Sequence, residues 1–177
     1  GALRMPATGV DTSNAGGDLT GRMVNGQVHL FLQGPSGQKF PLYEIVDPGS
    51  GYNTDYRLAP RATLATAWGD IYHNNRVMYD PSGNLITDGG TYTFFTPQGL
   101  HFSSTTGLLY WSYNQVYNTI GQPEWSLGAT SLDNPSTGAT TAYGPWKTKA
   151  TDADGRSYYG AWRCMYLLEN PFDGSMM

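Results

Sequence analysis

In the segment "WGDIYH", Trp68 to His73, an aspartate sits between aromatic residues; read as a strand, it places Trp68, Asp70 and Tyr72 on one side and Gly69, Ile71 and His73 on the other. A carboxylate in such a setting has two ordinary uses. Apolar neighbours can tune it as a general base, or let it hold a sugar hydroxyl; equally, it can accept backbone N–H groups from a neighbouring turn and fix the packing there. Hydrolysis of a glycosidic bond needs a second carboxylate across the scissile bond, at roughly 5 Å or 6.5–9.5 Å. Glutamates occur only at positions 44, 124 and 169. In "LYEIV", Glu44 shares a strand face with Leu42 and Val46, a position for either an inward-pointing acid or a structural partner of an arginine. Glu124, between Pro123 and Trp125, reads as a loop residue. Asp70 and Glu44 are the expected pair for acid–base chemistry.

A second constellation is aromatic. Alternation through "LLYWSYNQVY" puts Leu108, Tyr110 and Ser112 on one face and Leu109, Trp111 and Tyr113 on the other. Tyr110 and Trp111 are expected in the core. Tyr113, Tyr117 and Trp125 could form a platform for the CH faces of a sugar, with Asn114 and Asn118 supplying hydrogen bonds.

Metal and nucleotide chemistry have weaker signals. "DADG", Asp152 to Gly155, resembles the first half of a calcium loop, with Asp152 and Asp154 as oxygen ligands, but the bidentate glutamate that completes such a loop is missing. An ordinary β-turn uses the same residues. A structural calcium is the one cofactor the sequence suggests. His29, His73 and His101 are far apart and lack the spacing of a zinc site. The chain has no Gly-x-Ser-x-Gly elbow, no phosphate-binding P-loop and no dinucleotide fingerprint.

The elements that must position these residues read as strands. Gly or Pro interrupts nearly every window long enough for three helical turns, and the best helix candidate, Ala59 to Trp68, is short and rich in Thr. "MVNGQVHLFLQ" carries the Asn25-Gly26 hairpin signal. "QKFPLYEIV" is a strand in which Pro41 demands an edge, a bulge or a strand start. Further pairs turn at Asp80 to Gly83, at Thr106-Gly107 and at Asp152 to Gly155. Recurring hairpins of this kind predict an all-β chain, built of propeller-like blades or as a β-sandwich or jelly roll. The 177 residues make a single all-β domain or part of a larger propeller.

Composition narrows the partners. Only 14% of residues are charged, against roughly 25% in an average soluble domain. The surface therefore relies on Gly, Ser, Thr, Asn and Tyr, as in many secreted all-β proteins. With a net charge of −4 and ten scattered basic residues, there is no stripe for a nucleic-acid backbone. No apolar run approaches the ~20 residues of a membrane span. The chain begins at Gly1 without a leader, as a mature or excised product would. Cys164 is the single cysteine and is expected to pack as a small apolar residue.

Several segments carry a resemblance: "GRMVNGQVHLFLQ" with "PLYEIVDPG", "LAPRATLATAWGDIYHNNRV", and "GLLYWSYNQVYNTIGQPEWSLGATSLD" with "TAYGPWKT". Over Gly21 to Lys147 the chain resembles a group of bacterial secreted or cell-surface β-propeller-like proteins. The resemblance implies blade strands and turns rather than an active-site signature. The charge-poor, Tyr-, Trp- and Asn-rich composition, the carboxylates and the Gly-rich strands carry three functional expectations: an extracellular or cell-surface module that binds a glycan or another protein chain, a glycoside hydrolase using Asp70 and Glu44, or an oligomeric subunit of a surface assembly.

Overall fold

The computed structural model describes residues 3–11, 19–34, 41–49, 55–73, 78–79, 85–86, 95–115, 125–147, 149–151 and 157–159. The architecture is all-β. One antiparallel sheet runs β1 (Thr20–Val24), β2 (Gln27–Gln33), β3 (Pro41–Val46) and β4 (Thr63–Asp70), in chain order. Two strands then form a short hairpin, β5 (Met78–Tyr79) with β6 (Leu85–Ile86). A second four-stranded antiparallel sheet follows, again in chain order: β7 (Phe95–Phe102), β8 (Leu108–Gln115), β9 (Trp125–Asn134) and β10 (Ala139–Lys147). The last pair is the hairpin of β11 (Lys149–Thr151) and β12 (Ser157–Tyr159). Among the described residues the only helical element is a 3-10 turn, Tyr56–Leu58.

The turns follow from residue chemistry. Asn25 and Gly26 both take positive φ, 50° and 80°, as a tight two-residue hairpin requires. No heavy atom lies within 4 Å of a side chain placed at Gly26, so backbone conformation alone sets the cost of replacing it. Gly26→Ala is expected to destabilise by about 1 kcal/mol, measured by urea unfolding. Gly107, at φ 71°, closes the β7–β8 turn, where the Gly107 amide donates to the Ser103 carbonyl. Pro41 begins β3, where no ladder donor is lost upstream.

Two expectations are corrected. The helix candidate Ala59 to Trp68 is largely strand, because β4 pairs its alternating Thr and Ala residues with β3. The strand read through "WGDIYH" ends at Asp70. Gly69, at φ 71°, accompanies a register shift, and residues 71–73 form a turn in which both Ile71 and Tyr72 are buried. The simple alternation of Trp68, Asp70 and Tyr72 therefore fails.

The sheets pack face to face. Phe31, Leu42 and Trp68 from the first sheet meet Leu100, Leu109 and Trp111 from the second, with Ile71 and Tyr72 between them. The Phe31 and Phe102 rings lie 5.8 Å apart. The Trp111 indole donates to Thr130 Oγ1 at 2.8 Å, and that hydroxyl donates to the Ile71 carbonyl at 2.7 Å. Tyr72 meets Trp111 edge-on, with centroids 4.7 Å apart. Trp111 is thus core, as expected, whereas Tyr110 is half-buried.

The two sheets are also copies of one plan. Each is a four-strand meander whose fourth strand carries Thr-Ala-aromatic-Gly: Thr66-Ala67-Trp68-Gly69 in β4 and Thr141-Ala142-Tyr143-Gly144 in β10. The glycines have φ of 71° and 91°, and each lies at a register shift. A short hairpin follows each meander, and Asp-x-x-Gly occurs in both connecting sequences, at Asp80 to Gly83 and Asp152 to Gly155.

Candidate functional site

Glu44 lies in the middle of β3 and is 1% exposed. Three strands bring donors to it. Arg22, on β1, makes a fork: Nε donates to Oε1 and Nη2 to Oε2, both at 2.9 Å. His29, on β2, places Nδ1 2.8 Å from Oε1, and Trp68, on β4, donates its indole N–H to Oε2 at 2.9 Å. An ionised carboxylate is acceptor-only, so His29 carries its proton on Nδ1. Each oxygen therefore accepts two hydrogen bonds, filling the carboxylate's roughly four lone-pair positions. The Arg22 guanidinium is also boxed by rings, with its carbon 5.4 Å from the centroid of Phe31, 5.9 Å from Trp68 and 5.6 Å from Phe102. This geometry anchors a charge between two sheets.

Asp70 occupies a different place. It ends β4 opposite Pro41, whereas Glu44 pairs with Thr66, so three residues of β3 separate their ladder positions, about 10 Å along the strand. Asp70 Oδ1 accepts the Tyr72 amide at 3.0 Å, holding the turn that seats Ile71 and Tyr72 in the core.

Of the aromatic platform, Tyr113 and Asn114 lie in β8, paired with Pro97 and Thr96, and Trp125 opens β9, paired with Lys147. Tyr117 and Asn118 lie outside the described residues, as do Asp152, Asp154 and Cys164. Among the described residues, no three His, Cys, Asp or Glu side chains gather closely enough to hold a metal ion. The described histidines serve separately: His29 meets Glu44, His73 Nε2 lies 2.6 Å from Thr140 Oγ1, and the buried His101 Nε2 has no hydrogen-bond partner. Among the described residues no helix is long and apolar enough to cross a membrane.

Two surface features escaped the sequence reading. An open groove of about 810 Å³ runs beside the β1–β2 hairpin, lined by Arg22, Met23, Val28, Phe102 and Ser104 among others. On the edge strand β10, Tyr143 and Trp146 are exposed. The Thr-Ala-Tyr-Gly sequence was the available signal: its match to Thr-Ala-Trp-Gly marks Tyr143 as the counterpart of a core residue. Beside Tyr143 on the same strand, Thr141 and its partner Ser131 both donate to Asp133, and these bonds hold the Asp133 carboxyl below its ordinary pKa. Compared with known proteins, the chain matches no family model, no curated protein and no solved structure.

Proposed function

We propose that the chain is a protein-interaction module in which the two stacked meanders serve as blades of a propeller-like scaffold. The observation that carries this proposal is the pair of exposed rings, Tyr143 and Trp146, on an edge strand. Tyr and Trp are the residue types that dominate binding energy at protein interfaces, because they bury a large area at low entropic cost. The charge-poor composition fits an extracellular or cell-surface setting. Glu44 lends no support to a glycosidase, since no lone pair on its carboxylate is left to face a substrate.

A second reading rests on the same rings: an exposed Tyr and Trp are also the chemistry of a glycan platform. Affinity electrophoresis through gels containing soluble β-glucan, xylan or glycol chitin separates the two. The expected result is unretarded migration in every gel. Retardation that Trp146→Ala abolishes would overturn the protein-interaction assignment in favour of glycan binding.

A further inference from the structure

Asn25 is the only asparagine in the chain that a glycine follows. Such a pair carries its own reaction. The backbone nitrogen of the glycine attacks the asparagine Cγ, since no side chain shields that nitrogen and an unstrained five-membered ring closes. The side-chain nitrogen leaves as ammonia, taking the proton that the attacking nitrogen gives up. Water then opens the succinimide. Cleavage between the glycine nitrogen and Cγ leaves aspartate; cleavage between that nitrogen and the main-chain carbonyl leaves isoaspartate, in which the main chain runs through Cβ and Cγ. In sum an amide and a water become an acid and ammonia, with no other reactant. The turn after Asn134 lacks this chemistry, because Pro135 has no N–H.

The fold leaves the Asn25-Gly26 pair open. Both residues are exposed at the tip of the β1–β2 hairpin, at φ 50° and 80°. The ladder ends at Val24 and Gln27, so the Gly26 N–H lies outside it, and a Cβ at Gly26 meets no heavy atom within 4 Å. Ring closure requires Asn25 to leave its turn angles. Fraying of one hairpin tip suffices for that, without parting the sheets. The consequence reaches inward. β1 is an edge strand, bonded in its sheet to β2 alone, and Arg22 pairs with His29 two rungs from the turn. Both side chains donate to Glu44. Aspartate at position 25 keeps the two-residue turn, because Asp-Gly accepts the same angles. Isoaspartate adds a main-chain atom to the loop, so the turn geometry that pins the register of β1 on β2 is lost.

We propose that Asn25 is a self-modification site, at which water converts the β1–β2 turn to an isoaspartyl form and so slackens the Arg22–Glu44 anchor from the edge of the first sheet. The reaction is independent of any partner at Tyr143 and Trp146.

The test is peptide mapping by mass spectrometry of wild type, Asn25→Asp and Gly26→Ala, each confirmed folded by circular dichroism and incubated in mildly alkaline buffer. Trypsin cleavage after Arg22 and Lys39 releases residues 23–39, in which Asn25 is the only asparagine. The expected result is a shift of position 25 from amide to acid mass, in two chromatographic forms of which the isoaspartyl one is the larger. The same shift should be at least tenfold slower in Gly26→Ala, where a Cβ shields the attacking nitrogen. Native wild type should react less than ~10³-fold more slowly than the chain in urea, the smallest suppression that a need for global unfolding would impose. Material enriched in the isoaspartyl form should melt below Asn25→Asp. No shift at position 25, a rate in Gly26→Ala within tenfold of wild type, or a native rate suppressed beyond that limit would each overturn the site. An isoaspartyl fraction that melts with Asn25→Asp would overturn the effect on the anchor.

Discussion

Trp111→Ala is expected to lower stability by about 3–5 kcal/mol, the cost of removing a fully buried large aromatic side chain from a core. The site cannot collapse easily. The indole lies directly over Gly128, where an added Cβ would come within 2.2 Å of the ring, and it is held by Thr130 on one side and Tyr72 on another. The same closeness makes Gly128→Ala damaging in the opposite sense: it forces the indole off its hydrogen bond, with an expected cost of about 1–3 kcal/mol. Trp111→Phe should fall below the alanine variant in cost, because the ring contact with Tyr72 survives while the bond to Thr130 is lost. Chemical denaturation of the four proteins checks the order. A Trp111→Ala protein as stable as wild type would mean that the contact between the sheets contributes little to the fold.

Glu44→Gln should cost about 3 kcal/mol or more, because it leaves Arg22 without its counter-charge and turns an N–H toward groups that are themselves donors. At roughly 2–4 °C per kcal/mol for a chain of this size, the loss is large in a thermal melt. Arg22 is partly exposed, which places the expected value at the lower end for a broken buried pair. Arg22→Leu alone strands Glu44 between His29 and Trp68, whereas Arg22→Leu with Glu44→Leu removes both charges. The double variant is therefore expected to be less destabilised than the sum of the singles. A Glu44→Gln protein with unchanged melting but abolished hydrolysis of a glycan would instead place the carboxylate in an active site.

Local chemistry made much of the fold legible. Asn25-Gly26 and Thr106-Gly107 announce hairpins because few residues accept the backbone angles those turns impose. Ala59 to Trp68 was ambiguous because Ala favours helices while Thr favours strands, and only pairing with β3 decides between them. Glu44 was legible as an acid or as an arginine partner, but its donors come from positions 22, 29 and 68, on three other strands. No local pattern carries that convergence. Asp70 looked like a chemical group because aromatic residues flank it; its backbone bond to Tyr72 depends on the bend at Gly69. The equivalence of the two meanders was hidden by distance and divergence, since the clearest shared string spans four residues and recurs 75 positions later.

The tips of the β1–β2 and β9–β10 hairpins differ in how much added chain they can accept. A Cβ at Gly138, in the β9–β10 turn, would lie 2.5 Å from the Ala67 carbonyl oxygen, so this tip is pressed against the backbone of the other sheet. A Cβ at Gly26, in the β1–β2 turn, meets no heavy atom within 4 Å. A peptide epitope or fluorophore-bearing loop spliced between Asn25 and Gly26 would project into solvent, while the same insertion beside Gly138 would act as a wedge between the sheets.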